Sequence, residues 1–235
     1  MKKIIAVLLL ICSFLTVVSC SKKDENLERF DEMFASSAPT KAVTVVNQTF
    51  NDYVELNSVF TLTTGTVNGK TATTMVSEVQ TLNKVDSGKT NYINTQVTNN
   101  WYYEGKGTST DKGVSWNADG KDFAPKPGTL SMNLKVDYMD SVNYFSDATS
   151  ETIVLEVSAE NASKVLENFI DSETDFEYDV TITVVAAGER ISSVVIEYVI
   201  DEHLIGEDEN AIEVEDTEFV ITVNYSYDIQ AVTFE

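Results

Sequence analysis

Strict two-residue alternation of apolar and polar side chains runs through the last third of this chain. It limits the possible folds more than any other feature. Phe176, Tyr178, Val180, Ile182 and Val184 alternate, and Gly188 turns the chain. Val194, Ile196, Tyr198 and Ile200 alternate back. After an acidic loop, Phe219, Ile221, Val223, Tyr225 and Tyr227 alternate again. Successive strand side chains point to opposite faces, so this period specifies strands with one buried face. Proline would remove a ladder donor, and none of the three prolines falls in these segments, so central sheet positions are open to them.

The same texture appears earlier. Val54, Leu56, Phe60 and Leu62 share one strand face, with Glu55, Asn57 and Thr61 opposite. Asn68-Gly69 follows, a two-residue hairpin signal because both turn positions need positive φ. Thr71 to Val85 runs back, Asp86-Ser87-Gly88 turns, and Asn91 to Tyr103 carries Ile93, Val97, Trp101 and Tyr103 on one face. Gly105, Gly107 and Gly113 mark further turns before Trp116. These segments predict a meander of antiparallel strands. Asn117 to Gly128 holds two of the prolines and reads as a loop.

Three segments have helical spacing. Leu27, Phe30, Met33 and Phe34 predict a short amphipathic helix over Asn26 to Ala35. Tyr138, Met139, Val142 and Phe145 recur at i, i+1, i+4 and i+7, which predicts a helix over Lys135 to Ser146. Ile153, Leu155 and Val157 then alternate as a strand. Ser158 reads as an N-cap, its hydroxyl accepting an orphan amide, with Glu160 at the positive end of the dipole. Ala162, Val165, Leu166, Phe169 and Ile170 form an apolar stripe, so Ser158 to Ile170 is the third expected helix.

The N-terminus reads as an address. Lys2 and Lys3 precede an apolar run from Ile4 to Leu15, which fits a secretory signal and is too short for a membrane span. It ends in Val17-Val18-Ser19-Cys20, which resembles the bacterial lipobox. The resemblance implies diacylglyceryl transfer to the Cys20 thiol and cleavage after Ser19. Cysteine usage agrees. Cys12 leaves with the signal and Cys20 is the only other cysteine, so no internal disulfide is available. Acyl chains at about 0.8 kcal/mol per buried methylene make a stable anchor. The expected organisation is a signal peptide over 1–19, a lipidated cysteine and tether over 20–26, and a single β-rich domain over 27–235. The partner at this end is a membrane, with the body outside the cytoplasm. The polar tether Ser21-Lys22-Lys23-Asp24-Glu25-Asn26 resembles the surface-export tail of Bacteroidetes-type lipoproteins; retention on the outer face of the cytoplasmic membrane is the alternative.

Charge and residue types exclude several functions. The formal net charge is −22, and loss of Lys2 and Lys3 would take it to −24. Nucleic acid is excluded as a partner, because phosphate binding needs a basic footprint. Beyond residue 146 only Lys164 and Arg190 are basic, against 23 carboxylates. That half reads as a solvated face, with docking of a cationic partner as the functional alternative. His203 is the only histidine and sits among Asp201, Glu202 and Leu204 just after a strand, where it reads as an exposed loop residue rather than a base, so triad chemistry has no base. No nucleophile elbow, metal-binding histidine pair, C-x-x-C or phosphate-cradling glycine loop occurs. Glu207, Asp208, Glu209, Glu213, Glu215 and Asp216 carry oxygen ligands suited to Ca²⁺, yet lack the spacing and glycine of a calcium loop. No catalytic residue, metal or cofactor is assigned. Trp101, Tyr103 and Trp116 read as core aromatics, with a sugar-stacking surface as the alternative. The three N-x-S/T sequons at Asn47, Asn161 and Asn224 are taken as chance.

The order of elements carries a second resemblance. A long meander is followed by a loop and helix, then by the strand running into a helix at Val154-Leu155-Glu156-Val157-Ser158-Ala159-Glu160, then by two hairpin strands and a final acidic strand. This is similar to the LolA/LolB-like lipoprotein superfamily, in particular its LppX/LprG-like members. The resemblance implies a mainly β fold, an antiparallel curved sheet or incomplete β-barrel with helices packed on the concave side. It also implies a non-enzymatic protein that binds a lipid or acylated ligand between sheet and helices. On that reading the cavity is lined by Leu56, Phe60, Leu62, Ile93 and Val97 from strands and by Met139, Val142, Phe145, Val165, Leu166 and Phe169 from helices. Two alternatives stand beside it: a dry core with no room for a ligand, and an anchored module that binds protein or glycan through its exterior.

Overall fold

The computed structural model describes residues 23–50, 54–85, 89–118, 121, 125–127, 135–167, 176, 178–205 and 212–234. The signal, Cys20 and the start of the tether lie outside them. So do Phe169 and Glu207, Asp208 and Glu209, and the side chains of Ile93, His203, Glu213, Glu215 and Asp216; the backbone of His203, Glu213, Glu215 and Asp216 lies in strands rather than in the loop expected there.

The described chain forms two α-helices, α1 (Lys23–Ser36) and α2 (Ala159–Val165). Its strands are β1 (Lys41–Phe50), β2 (Val54–Val67), β3 (Lys70–Val85), β4 (Lys89–Tyr103) and β5 (Gly107–Ser109). After a 3₁₀ turn at Val136–Tyr138 come β6 (Met139–Ser146), β7 (Ser150–Val157), β8 (Val180–Ala187), β9 (Arg190–Ile205) and β10 (Ile212–Ser226). The expected mainly β class, with a curved, unclosed antiparallel sheet and helices, is what the chain adopts.

All ten strands belong to one sheet, in the order β5-β4-β3-β2-β1-β10-β9-β8-β7-β6. It consists of two five-stranded meanders sewn together by antiparallel pairing of β1 with β10, with Thr44 opposite Val223. Strands β5 and β6 are the two edges, so the barrel stays open. The Asn68-Gly69 hairpin forms as expected: both residues have positive φ, and Leu62 lies opposite Met75.

The predicted helix over Lys135 to Ser146 is instead the 3₁₀ turn followed by β6. The reason is a β-bulge. The β6–β7 register shifts between Met139 and Ser141, so Met139 opposes Val157 while Val142 opposes Leu155. Three residues of β6 therefore span two of β7, and two inward side chains fall three apart in sequence. That spacing imitates a helix.

One face of the sheet, here the inner face, meets the helices. Leu27, Phe30 and Met33 of α1 and Ala162, Val165 and Leu166 join Ile153, Leu155, Val157, Val180, Ile182, Val184, Val194 and Ile196 in one apolar core. The helices contact β6, β7 and β9 and the 3₁₀ turn. Helix α1 is fastened at three points. Asn26 Nδ2 donates to the Val142 carbonyl at 2.9 Å, Arg29 makes a forked contact to Glu151 at 2.9–3.0 Å, and Ser37 Oγ accepts from the Ile191 amide at 3.0 Å. Ser158 does stand at the N-cap of α2 but makes no side-chain capping bond. The Ala159 amide donates to Asp179 Oδ1 at 3.1 Å instead, so the cap comes from a distant segment.

On the opposite, outer face the C-terminal tail after β10 crosses the other half of the sheet. Gly65 makes this approach possible: a Cβ there would lie 2.7 Å from the Gln230 carbonyl oxygen. Phe234 packs edge-on against Tyr103 at 5.2 Å and Trp116 at 5.5 Å, and Lys106 lies over both of those rings. These aromatics hold the tail on the outer face; Trp101, Tyr103 and Trp116 are only half-buried and stand outside the apolar core in which they were expected.

Candidate functional site

The core covers only half of the inner face. Where the helices end, the sheet continues through β10, β1, β2, β3 and β4, and an open groove of about 380 Å³ lies on it. Two cross-strand rows make its floor. Tyr225, Ala42, Leu62, Met75 and Asn100 form one, each opposite the next. Val223, Thr44, Phe60 and Ser77 form the other. Cross-strand neighbours on one face stand about 5 Å apart, so each row is a continuous strip of side chains. Phe60 is 43% exposed, an unusual state for a phenylalanine at a row's centre, and it opens the groove to solvent.

The rows change character along their length. At the β10 and β1 end Val223, Ala42 and the Tyr225 ring are apolar, with Thr44 the polar member, and the rows join the helix-covered core through Val223, which is buried. At the β3 and β4 end they turn polar, with Ser77 and Asn100. The wall above this end comes from the described residues 125–127. The Tyr102 hydroxyl donates to the Lys121 carbonyl at 2.8 Å, and the Thr73 and Thr64 hydroxyls donate to the Pro125 carbonyl at 3.3 and 3.5 Å. Pinned in this way, the loop sets Lys126 and a buried Pro127 on the groove. Burial pushes the Tyr225 phenol well above its usual ionisation range. Its hydroxyl is enclosed and has no hydrogen-bond partner among the described residues.

The eleven side chains expected to line one cavity separate into groups. Phe60 and Leu62 line the groove. Leu56 shares their face and is half-buried, two rows beyond the groove, with the Ser58 row between. Val97 lies opposite Glu78, hence on the outer face, and is 54% exposed. Met139, Val142, Val165 and Leu166 are buried in the closed core. Phe145 lies opposite Thr152, which puts it on the outer face rather than beside Val142. Met139, Val142 and Phe145 stand on a strand, not a helix, because of the bulge. The side chains of Ile93 and Phe169 are outside the described residues, as are Cys20 and its preceding Val17, Val18 and Ser19.

Ala42, Thr44, Met75, Ser77, Asn100, Lys126, Val223 and Tyr225 complete the site without having been expected. A signal existed for two of them. A two-residue turn at Asn68-Gly69 sets Leu62 opposite Met75 and Phe60 opposite Ser77 by counting outward from the turn.

Among the described residues no helix is long and apolar enough to cross a membrane. No protein-family model matches the chain, and no curated protein matches it. Among solved structures, the chain is similar to a LolA superfamily protein from Nitrosomonas europaea. The two are 11% identical, the match covers 90% of this chain and 96% of that one, and the TM-score is 0.26. Backbones that superpose so loosely carry no argument about the site, and the fold class rests on the sheet itself.

Proposed function

We propose that this chain is a membrane-anchored, extracytoplasmic binding protein without enzymatic chemistry. It holds a lipid or acylated molecule in the groove on the inner face. The observation that carries the reading is the apolar strip running out from under the helices, with Phe60 at its centre left 43% exposed. A monomeric fold normally buries such a strip or uses it. The groove volume falls in the range of small-molecule sites.

The mechanism is desolvation. An acyl chain laid across the rows exchanges water for Leu62, Met75 and Val223, at about 25 cal/mol per Å² of apolar area removed from water. The enclosed core supplies no space for the ligand on this reading; it is the rigid wall against which the groove is built. Anchoring rests on the lipobox resemblance at Cys20. Helix α1 starts three residues later and is fastened to β6, β7 and β9, so a lipid on Cys20 would tether the body closely.

Native mass spectrometry tests the reading. The chain from residue 20, carrying Cys20→Ser, keeps every contact described above. It is purified from bacterial cells without detergent, and bound material is extracted into organic solvent. The expected result is a co-purifying acyl lipid that is lost in Leu62→Glu, with the circular dichroism spectrum unchanged. A mass free of ligand, together with no uptake of a fluorescent fatty acid, would overturn it in favour of binding through the exterior.

A further inference from the structure

We infer that the outer face carries a second site, for one ring of a neutral sugar, built on Trp101 beside the C-terminal tail. It is independent of the inner-face groove and takes a different class of ligand.

An open pocket of about 270 Å³ lies on that face. Two cross-strand pairs make its floor: Trp101 of β4 opposite Thr74 of β3, and Asn99 opposite Val76. Ala231 and Thr233 of the tail line it, and so does Lys112 of the loop after β5. On its other side Trp101 stands opposite Ser109, the residue that braces this loop. Ser109 Oγ accepts from the Gly113 amide at 2.8 Å and donates to Asp111 Oδ1 at 2.6 Å, and Asp111 Oδ1 accepts from the Ser115 amide at 2.9 Å. The braced loop holds Lys112 at a φ of 58°, in the left-handed region where a lysine is uncommon.

The aromatics of this face divide in two. Tyr103 and Trp116 pack on Phe234 and hold the tail. Trp101 is half-buried, yet among the described residues its ring meets no other aromatic and its indole N–H has no acceptor. The side chains of Thr74, Asn99, Lys112 and Thr233 make no hydrogen bond to a described residue either. The pocket thus joins an apolar surface, the indole and Val76, to an amide, two hydroxyls and an ammonium with unused capacity.

A pyranose ring has the matching chemistry. Its C–H face lies on an aromatic ring by burial and dispersion, and its hydroxyls both donate and accept. Sites for drug-sized molecules run from about 300 to about 1,000 Å³. This one lies just below that range, which suits one ring with the rest of a glycan in solvent. Charge selects a neutral sugar. The chain carries −22, and Glu78 lies on the same face, opposite Val97 and two residues from Val76, so the field acts against a sugar carboxylate. Lys112 then serves as a donor.

Saturation-transfer NMR on the Cys20→Ser chain tests this, with the methyl glycosides of glucose, galactose, mannose and N-acetylglucosamine, and with glucuronate as the charged arm. At least one neutral glycoside is expected to bind, with transfer strongest at its ring C–H protons. Trp101→Ala should weaken it about tenfold or more, with the circular dichroism spectrum unchanged. Asn99→Ala, at an exposed side chain, should weaken it about threefold to tenfold, the scale of one hydrogen bond. Leu62→Glu on the inner face should leave it unchanged. Binding that survives both Trp101→Ala and Asn99→Ala, tighter binding of glucuronate than of every neutral glycoside, or binding of none of the four would each overturn the inference and leave the groove reading standing.

Discussion

Strands β6–β10 and strands β1–β5 belong to one hydrogen-bonded sheet, yet their inner faces are built from different residues. Across β7, β8 and β9, Ile153, Leu155, Ile182, Val184, Val194 and Ile196 have no exposed area. At matching positions on β3 and β4 stand Ser77, Thr98 and Asn100. The helices cover the first set and leave the second to solvent. Alternation thus specifies only which way a side chain points. What covers a face decides whether it is aliphatic or threonine-rich. The groove occurs at the boundary between the two regimes, where apolar residues persist past the edge of their cover.

Paired truncations separate the two halves by the largest margin. Leu155→Ala or Ile182→Ala in the covered half is expected to cost about 2–5 kcal/mol in urea denaturation, because each leaves a cavity. Phe60→Ala, a larger deletion, should cost less than about 1 kcal/mol, since water already reaches the ring. Equal costs would mean that Phe60 is packed and the groove closed.

Next in size is Gly65→Ala. The new Cβ would meet the Gln230 carbonyl oxygen at 2.7 Å and Val232 Cγ2 at 3.2 Å. Overpacking of this kind costs about 1–3 kcal/mol, and here it should first free the tail from the outer face. Faster hydrogen exchange confined to 228–234 would show it.

The clamp on α1 gives a pH-dependent test. Hydrogen bonds from Arg29 hold the Glu151 carboxyl below its usual value of 4.5. A carboxyl lowered in the folded state adds stability that is complete above the unfolded value and is lost as pH falls through the folded one. The guanidinium side is partly exposed, so Glu151→Gln should cost only about 1 kcal/mol at pH 7. The cost should vanish in acid, below the folded value. Asp111 and Asp147, each held near 2 by local hydroxyl and amide donors, keep contributing over the window from 3.8 down to about 2. Denaturation midpoints of Glu151→Gln and the parent chain should therefore converge on acidification; a constant gap would contradict the clamp.

The smallest effect is a gain. Thr217 is fully buried on β10, and its hydroxyl has no partner among the described residues. Thr217→Val keeps the shape and removes the orphan, so stability should rise by about 1 kcal/mol, read as a higher denaturation midpoint.

Much of the sheet was legible because its signals are local. Val180, Ile182 and Val184 alternate without interruption, and Asn68-Gly69 states its own register. The strand β6 was not legible, since the bulge at Asp140 converts a strand period into a helical one. The site was half legible for a different reason. Phe60 and Leu62 belong together by alternation, but Val223 and Tyr225 reach them only through the pairing of β1 with β10. No local pattern encodes a contact between residues 44 and 223. Lys126 arrives by way of a loop whose position depends on the Thr64 and Thr73 hydroxyls. The same lack of long-range information placed Val165 and Leu166 beside a cavity when they close the core.

The central claim, that an acyl chain lies on the two rows beyond the helices, is tested most directly by photocrosslinking. The Cys20→Ser chain is loaded with dodecanoate bearing a terminal diazirine, irradiated and digested, and the adducts are mapped by mass spectrometry. The account predicts adducts on β10, β1 and β2, around Val223, Ala42 and Leu62, with dodecanoate competing them away. Adducts confined to α1 or α2, or to the outer face around Val97, would contradict it.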